Sequence, residues 1–389
     1  MGSSFSTMLG CDGPSFSLRE PKTLAMIGAP ISEGQDYDSG VDKAPQALRD
    51  GGVEAVVKAV GWDFEDRGDL DFEVLGNIAV PNAPAVPPSR ATIPYYDDAK
   101  IKNCERIGRA CGHIFDAVYN AASEGKFVLT VGGDHSLACP TISGIMRARP
   151  DTCVVWVDAH GDCNHPGTSP SGNYHGMPAA HAMGWFEKRA RGFEWMDSHL
   201  THPLQEDRIV FIGLRDIDPE ERRLLRQSRV KCFTMTDVDR LGISAVMEEA
   251  LKHINPKGDR PIHLSLDIDG IDPVIAPGTG TKAKGGLTYR ESHYICERLA
   301  MTGQLGSMDL VEINPVMDMN ILRKSKDMAS PKSTTSPHPL HMHPIDDGSK
   351  LADSELEEHL HGDNPLIRGP PTVRLGLELV ESALGKTII

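Results

Sequence analysis

Cys153-Val-Val-Trp-Val-Asp158-Ala-His160-Gly-Asp162-Cys-Asn164 decides the fold. Five apolar residues in a row, with no polar alternates, read as a strand covered on both faces. The run ends in Asp-x-His-x-Asp, whose i, i+2, i+4 spacing aims three polar groups to one side if the backbone stays extended. The same arrangement recurs outward along the chain. Phe127 to Val131 runs into Gly132-Gly133-Asp134-His135-Ser136, and Ile262 to Leu266 runs into Asp267-Ile268-Asp269-Gly270-Ile271-Asp272. Thr23 to Gly28, Arg208 to Ile212, Lys231 to Met235 and Ser307 to Val311 also read as strands, while Ile101 to Glu124 and Ala245 to Ile254 carry helical spacing. Alternating strands and helices predict an α/β fold with a largely parallel sheet and helices on both faces. Such sheets bind ligands beyond the carboxyl ends of their strands, where all three clusters lie.

The chain has 389 residues, 39% of them apolar, and a formal net charge of −15. The acidic balance argues against nucleic acid as the main partner. None of the eight cysteines forms a CxxC pair, which suits reduced thiols in a cytoplasmic protein. Cys163 sits beside the acidic cluster but is offset by one residue from Asp162, so it reads as a structural thiol. No run is long enough to span a membrane. Met1-Gly2-Ser3-Ser4-Phe5-Ser6 fits the pattern for N-myristoylation, which alone gives only weak membrane association. Residues 1–21 read as a flexible segment. Pro81 to Pro94 reads as a surface loop, and 318–371, rich in Ser-Pro, His-Pro and acidic residues, as an irregular insertion. The face formed by Val373, Leu377, Val380 and Leu384 predicts a terminal helix after it.

Asp158, Asp162, Asp267 and Asp269 cannot be buried together unless their charge is neutralised. Two divalent cations cancel four carboxylates, and His135 and His160 add two neutral nitrogen donors. Oxygen-rich ligation without thiolate favours Mn²⁺ over structural Zn²⁺. The chemistry expected of such a centre is hydrolysis by a metal-bridging hydroxide. Lowering a water pKa from about 15.7 towards about 7 is worth up to about 12 kcal/mol in hydroxide availability. Gly132-Gly133 lacks the continuation of a phosphate loop and reads as a tight turn. His338, His341 and His343 read as part of a solvated low-complexity stretch.

The three clusters are joined by Ser171-Gly-Asn173-Tyr-His175-Gly, Gly213-Leu-Arg-Asp-Ile-Asp218-Pro-Glu-Glu221 and Glu312-Ile-Asn-Pro315. Together they resemble the signatures of the ureohydrolases, and within them the arginase family, over roughly residues 22–317 and the last helix. The resemblance implies a single three-layer domain over 22–389 with an eight-stranded parallel sheet, two Mn²⁺ per subunit and, commonly, a homotrimer. It implies that His135, Asp158, Asp162 and Asp267 hold one ion, and that His160, Asp158, Asp267 and Asp269 hold the other. The implied reaction converts L-arginine and water to L-ornithine and urea. His175 would shuttle a proton, Glu312 would orient the guanidinium and Asp162 would hydrogen-bond the nucleophile. Asn164, Ser171 and Asn173 would meet the α-carboxylate, Asp218 and Glu221 the α-ammonium, and Thr281 would support the metal-site loop. Gly161, where many relatives carry a larger residue, should face away from the ligands. Agmatinase or another guanidino-compound hydrolase is the rival enzyme reading; a non-catalytic binding protein on the same fold is the remote one.

Overall fold

The computed structural model describes residues 22–35, 40–75, 86–200, 202–329 and 364–386. Its strands are β1 (Thr23–Ala29), β2 (Asp63–Asp69), β3 (Phe127–Gly132), β4 (Cys153–Val157), β5 (Ile209–Leu214), β6 (Lys231–Thr234), β7 (Ile262–Asp267) and β8 (Leu305–Val311). They form one eight-stranded sheet in the order β2-β1-β3-β8-β7-β4-β5-β6, with every pairing parallel. β3, β4, β5, β7 and β8 are buried throughout their length, as continuous apolar runs require.

Two apolar layers flank the sheet. Leu24, Met26, Leu129, Val155 and Leu264 pack on one side with Leu48, Val56, Leu299 and Val380 from the helices Ala44–Gly51, Val53–Ala59, Tyr289–Ala300 and Pro371–Ala383. Ala25, Ile27, Val128, Val154 and Trp156 pack on the other with Ile107, Phe115 and Ile142 from Cys104–Ser123 and Ala138–Ala148. Helix Cys104–Ser123 lies inside the predicted 101–124, and Pro371–Ala383 is the terminal helix.

Three features differ from the sequence reading. β2 has no apolar run: its sequence is Asp-Phe-Glu-Asp-Arg-Gly-Asp, and it sits at the sheet edge, where charge is tolerated and discourages further pairing. Arg49 ties it down through Asp66 at 2.7 Å and Asp69 at 2.6 Å. The expected irregular stretch at 318–371 begins as helix, since Pro315–Ala329 is helical. Asn314 starts that helix, its Oδ1 accepting from Met317 N at 3.0 Å, with Pro315 at the first helical position. Within the predicted loop 81–94, Pro88–Ala91 forms a short helix. The acylation pattern at Gly2, most of the insertion and the His338, His341 and His343 group lie outside the described residues.

Candidate metal centre and active site

The carboxyl ends of β3, β8, β7 and β4, four neighbours at the middle of the sheet, carry the clustered residues. The turn after β3 is tight because a Cβ at Gly133 would stand 1.6 Å from the Ile31 carbonyl oxygen. This explains the glycine pair without any phosphate, and it delivers His135 to the centre.

His135 Nδ1 lies 3.1 Å from Asp158 Oδ2, 3.0 Å from Asp162 Oδ2 and 3.2 Å from Asp267 Oδ2. It makes a hydrogen bond to none of them, because the directions are wrong for donation. One buried ring nitrogen and three carboxylate oxygens thus lie close together. Donor atoms this close together can share one divalent ion. The His135 ring is held by stacking on Trp156, with centroids 4.3 Å apart. Trp156 Nε1 donates to Asp158 Oδ2 at 3.0 Å.

A second group shares Asp158. His160 Nδ1 is 3.4 Å from Asp158 Oδ1 and 3.2 Å from Asp269 Oδ2. His135, Asp158 and Asp162 form one metal-competent set, and Asp158, His160 and Asp269 the other. Asp267 joins the first through Oδ2, while its Oδ1 accepts from Asp269 N at 2.8 Å. All six predicted ligands are therefore brought together.

The protein alone leaves these acids in conflict. Burial and the charge of Asp158 push Asp162 up to about 6. Burial, then Asp269 and Asp158, raise Asp267 well above its ordinary value, and burial and Asp158 raise Asp269. A cation between them removes that repulsion, so the donor set fits divalent ions.

A cavity of about 250 Å³ opens over this group, lined by His160, Asp162, Asn164, Ser169, Pro170, Ser171, His175, Gly176, Asp216, Asp218, Glu221, Asp267, Thr281 and Glu312. Its size suits a small ligand. Among the described residues, only Asn103, Asp162 and Glu312 are non-glycine residues with φ in the left-handed region, at 52°, 47° and 61°. Two of the three thus belong to this site, where strained backbone is commonly retained. Glu312 Oε1 accepts from His135 N at 2.9 Å and lies 3.4 Å from His175 Nδ1. Its Oε2 is buried without a partner. Burial alone would lower the His175 pKa, but Glu312 outweighs it and holds the imidazole up at about 9.

The remaining predicted residues are more constrained than spacing alone suggests. Asp218 caps the helix Pro219–Gln227, its Oδ1 accepting from Glu220 N and Glu221 N, both at 3.0 Å. Its Oδ2 accepts from Asn164 Nδ2 at 2.7 Å. Glu221 Oε1 accepts from Cys163 N at 2.7 Å, and burial followed by the charge of Asp162 pushes its carboxyl up to about 8. A Cβ at Gly161 would lie 2.8–3.2 Å from that same Glu221 carboxylate. Thr281 Oγ1 donates to Asp269 Oδ2 at 2.7 Å, so it supports a candidate ligand as well as lining the cavity. Asn173 is buried beside Ser171 and is not among the lining residues.

The profile of the Arginase family matches residues 22–330. An arginase of Plasmodium berghei is 41% identical over 304 residues, covering 76% of this chain and 84% of its own. The chain belongs to the arginase family. Its enzyme class follows: a hydrolase acting on the guanidino carbon–nitrogen bond. Two solved arginase-family structures carry the same fold. The arginase of Bacillus caldovelox has a TM-score of 0.70 at 30% identity, over 94% of this chain and 99% of its own. That of Entamoeba histolytica, solved in complex with L-ornithine, has a TM-score of 0.67 at 25% identity, over 94% and 98%.

The sequence reading passed over Asp134, Asp216 and Arg215. Asp134 is fully buried, accepts from Gly34 N and Ser136 N, and is pushed up to about 6 by burial and then by Glu312. Its place next to His135 was the available signal. Asp216 lines the cavity beside His160. Arg215 donates six hydrogen bonds to five carbonyl oxygens, those of Gly213, Asp269, Gly270, Ile271 and Ala283. No spacing announces such a clamp.

Proposed function

We propose that this arginase-family hydrolase converts L-arginine and water to L-ornithine and urea at a centre holding two Mn²⁺ ions. Asp158 carries the reading: its Oδ2 faces the His135 group and its Oδ1 the His160 group, as a carboxylate shared by two ions would. Asp158, Asp162, Asp267 and His135 would hold one ion; Asp158, Asp267, Asp269 and His160 would hold the other. Oxygen-rich donors without thiolate favour Mn²⁺. When bound, the ions would cancel the carboxylate charge and acidify a water near the guanidinium carbon.

The chain's own residues supply the rest. The unpartnered Oε2 of Glu312 is an acceptor for a guanidinium N–H, and its rigid, strained backbone fixes the approach. His175, cationic near neutral pH beside Glu312, can give a proton to the departing amine nitrogen. Ser171 and Asn164 present neutral donors to an α-carboxylate, while Asp218 and Glu221 present acceptors to an α-ammonium. That polarity favours arginine over agmatine, which has no α-carboxylate; the ornithine bound by the Entamoeba relative supports an amino-acid ligand.

The test is urea and ornithine release by protein stripped of metal and reloaded with Mn²⁺, Mg²⁺ or Zn²⁺, assayed with arginine and agmatine in parallel. Turnover of arginine with Mn²⁺ is expected; preference for agmatine would refute the carboxylate-binding assignment. For the compartment we propose the cytoplasm, with weak membrane contact only if Gly2 is acylated. Seven described cysteines, all free and mostly buried, support that reading. We propose a homotrimer as the assembly, testable by sedimentation.

A further inference from the structure

Beneath the cavity lies a polar network to which the proposed reaction assigns no role. Thr141, His263, Ser265, Ser307 and Asp309 are each at most 1% exposed. In the β7–β8 register His263 stands opposite Ser307, and Ser265 opposite Asp309. Asp309 Oδ2 accepts from Thr141 Oγ1 at 2.6 Å and from Ser265 Oγ at 3.4 Å, and lies 3.0 Å from His263 Nε2. His263 Nδ1 is in turn 2.9 Å from Ser307 Oγ. A buried carboxylate is costly unless its partners hold it; here three partners meet Oδ2, while Oδ1 is buried without one.

The network ends on His135. Ser265 Oγ is 2.9 Å from His135 Nε2. A hydroxyl has one proton to give, and the Asp309 carboxylate, 3.4 Å from Ser265 Oγ, can only accept it. Ser265 must then accept from His135, which places the imidazole proton on Nε2 and leaves Nδ1 bare. Nδ1 is the atom that stands 3.0–3.2 Å from three carboxylate oxygens without a hydrogen bond.

We propose that Asp309, acting through Ser265, is a positioning residue that holds His135 in its Nε2–H form and so makes Nδ1 a metal ligand. Thr141 and His263 orient the carboxylate, and Trp156 fixes the plane of the ring. The inference rests on the two-ion reading and extends it to residues that touch neither ion nor substrate. Partners of this kind commonly change metal affinity about 10–100-fold when removed.

The test measures Mn²⁺ affinity and stoichiometry by chelator competition in wild type, Ser265→Ala and Asp309→Asn, together with the melting temperature of each metal-free protein. Ser265→Ala removes only a hydroxyl and is the variant expected to fold normally. The expected result is a loss of about 10–100-fold in affinity for one of the two ions, with the other within about threefold and metal-free melting little changed. Wild-type affinity at both positions in Ser265→Ala would overturn the proposal. So would an equal loss at both, which marks a general structural role. A wild-type protein that binds no divalent ion would instead refute the two-ion reading, and this inference with it.

Discussion

The group around His135 and the group around His160 share Asp158 but are supported in different ways. The His135 side chain is 1% exposed, stacked on Trp156 and backed by the buried network on β7 and β8. The His160 side chain is 24% exposed and lines the cavity. Its partner Asp269 is held by hydrogen bonds from connecting segments, through Thr281 and through the Arg215 clamp on the Asp269 carbonyl. One half is held by sheet packing together with a buried polar network that includes the Ser265 hydroxyl. The other depends on a few polar contacts, each of which a single substitution can remove. The contrast separates two kinds of sensitivity within one site.

The largest expected effect removes what the halves have in common. Asp158→Ala should cut urea release by on the order of 10³-fold or more and lower the content of both ions, because each loses a carboxylate. Metal analysis beside the urea assay checks this, and loss of one ion alone would show that Asp158 does not bridge. Arg215→Met comes next. It removes six hydrogen bonds from five carbonyls beside Asp269 and should cost about 3 kcal/mol in denaturant unfolding. Metal content should fall towards one ion per chain, with the His135 half retained; equal loss of both would erase the contrast.

Thr281→Val keeps the shape but deletes the hydroxyl on Asp269. Affinity for one ion should fall about tenfold, with the fold intact. Unchanged titration would mean that Thr281 serves only the turn.

A further effect lies away from the metals and touches stability alone. Asp318 is buried, accepts from Thr372 N and Oγ1, both at 2.8 Å, and is pushed up to about 6 by burial. A carboxyl whose pKa is raised on folding contributes stability present at low pH and lost as pH rises, here from about 4 to about 6. Asp318→Asn should remove that component, worth at most about 3 kcal/mol. The difference between variant and wild type in metal-free denaturant melts should therefore move in the variant's favour between pH 4 and pH 7. A constant difference would contradict the assignment.

Legibility followed local geometry. The six candidate ligands were readable because each cluster follows an apolar strand run, although the expected extended backbone gives way to 3-10 turns at His135 and Asp269 and to left-handed backbone at Asp162. β2 was not, because an edge strand needs no apolar face and its ion pairs with Arg49 come from a distant helix. The helix Pro315–Ala329 was masked by its polar composition, although Asn314-Pro315 marks its start. His263, Ser265 and Asp267 alternate along β7, as do Ser307 and Asp309 along β8. That signal was present but submerged in strands read as continuous apolar runs.

By itself the chain of residues determined the fold class, the strands at its centre and the identity of the candidate donors in each cluster, because those depend on contacts and directions within a few residues. Only the folded sheet decided how the clusters meet. β3, β8, β7 and β4 are neighbours although they are far apart and out of order in the chain, and that order sets His135 against Asp158, Asp162 and Asp267. It also set Asp309 behind Ser265, and Glu221 against Gly161. Such distances arise from packing between strands and layers, which no short-range spacing encodes.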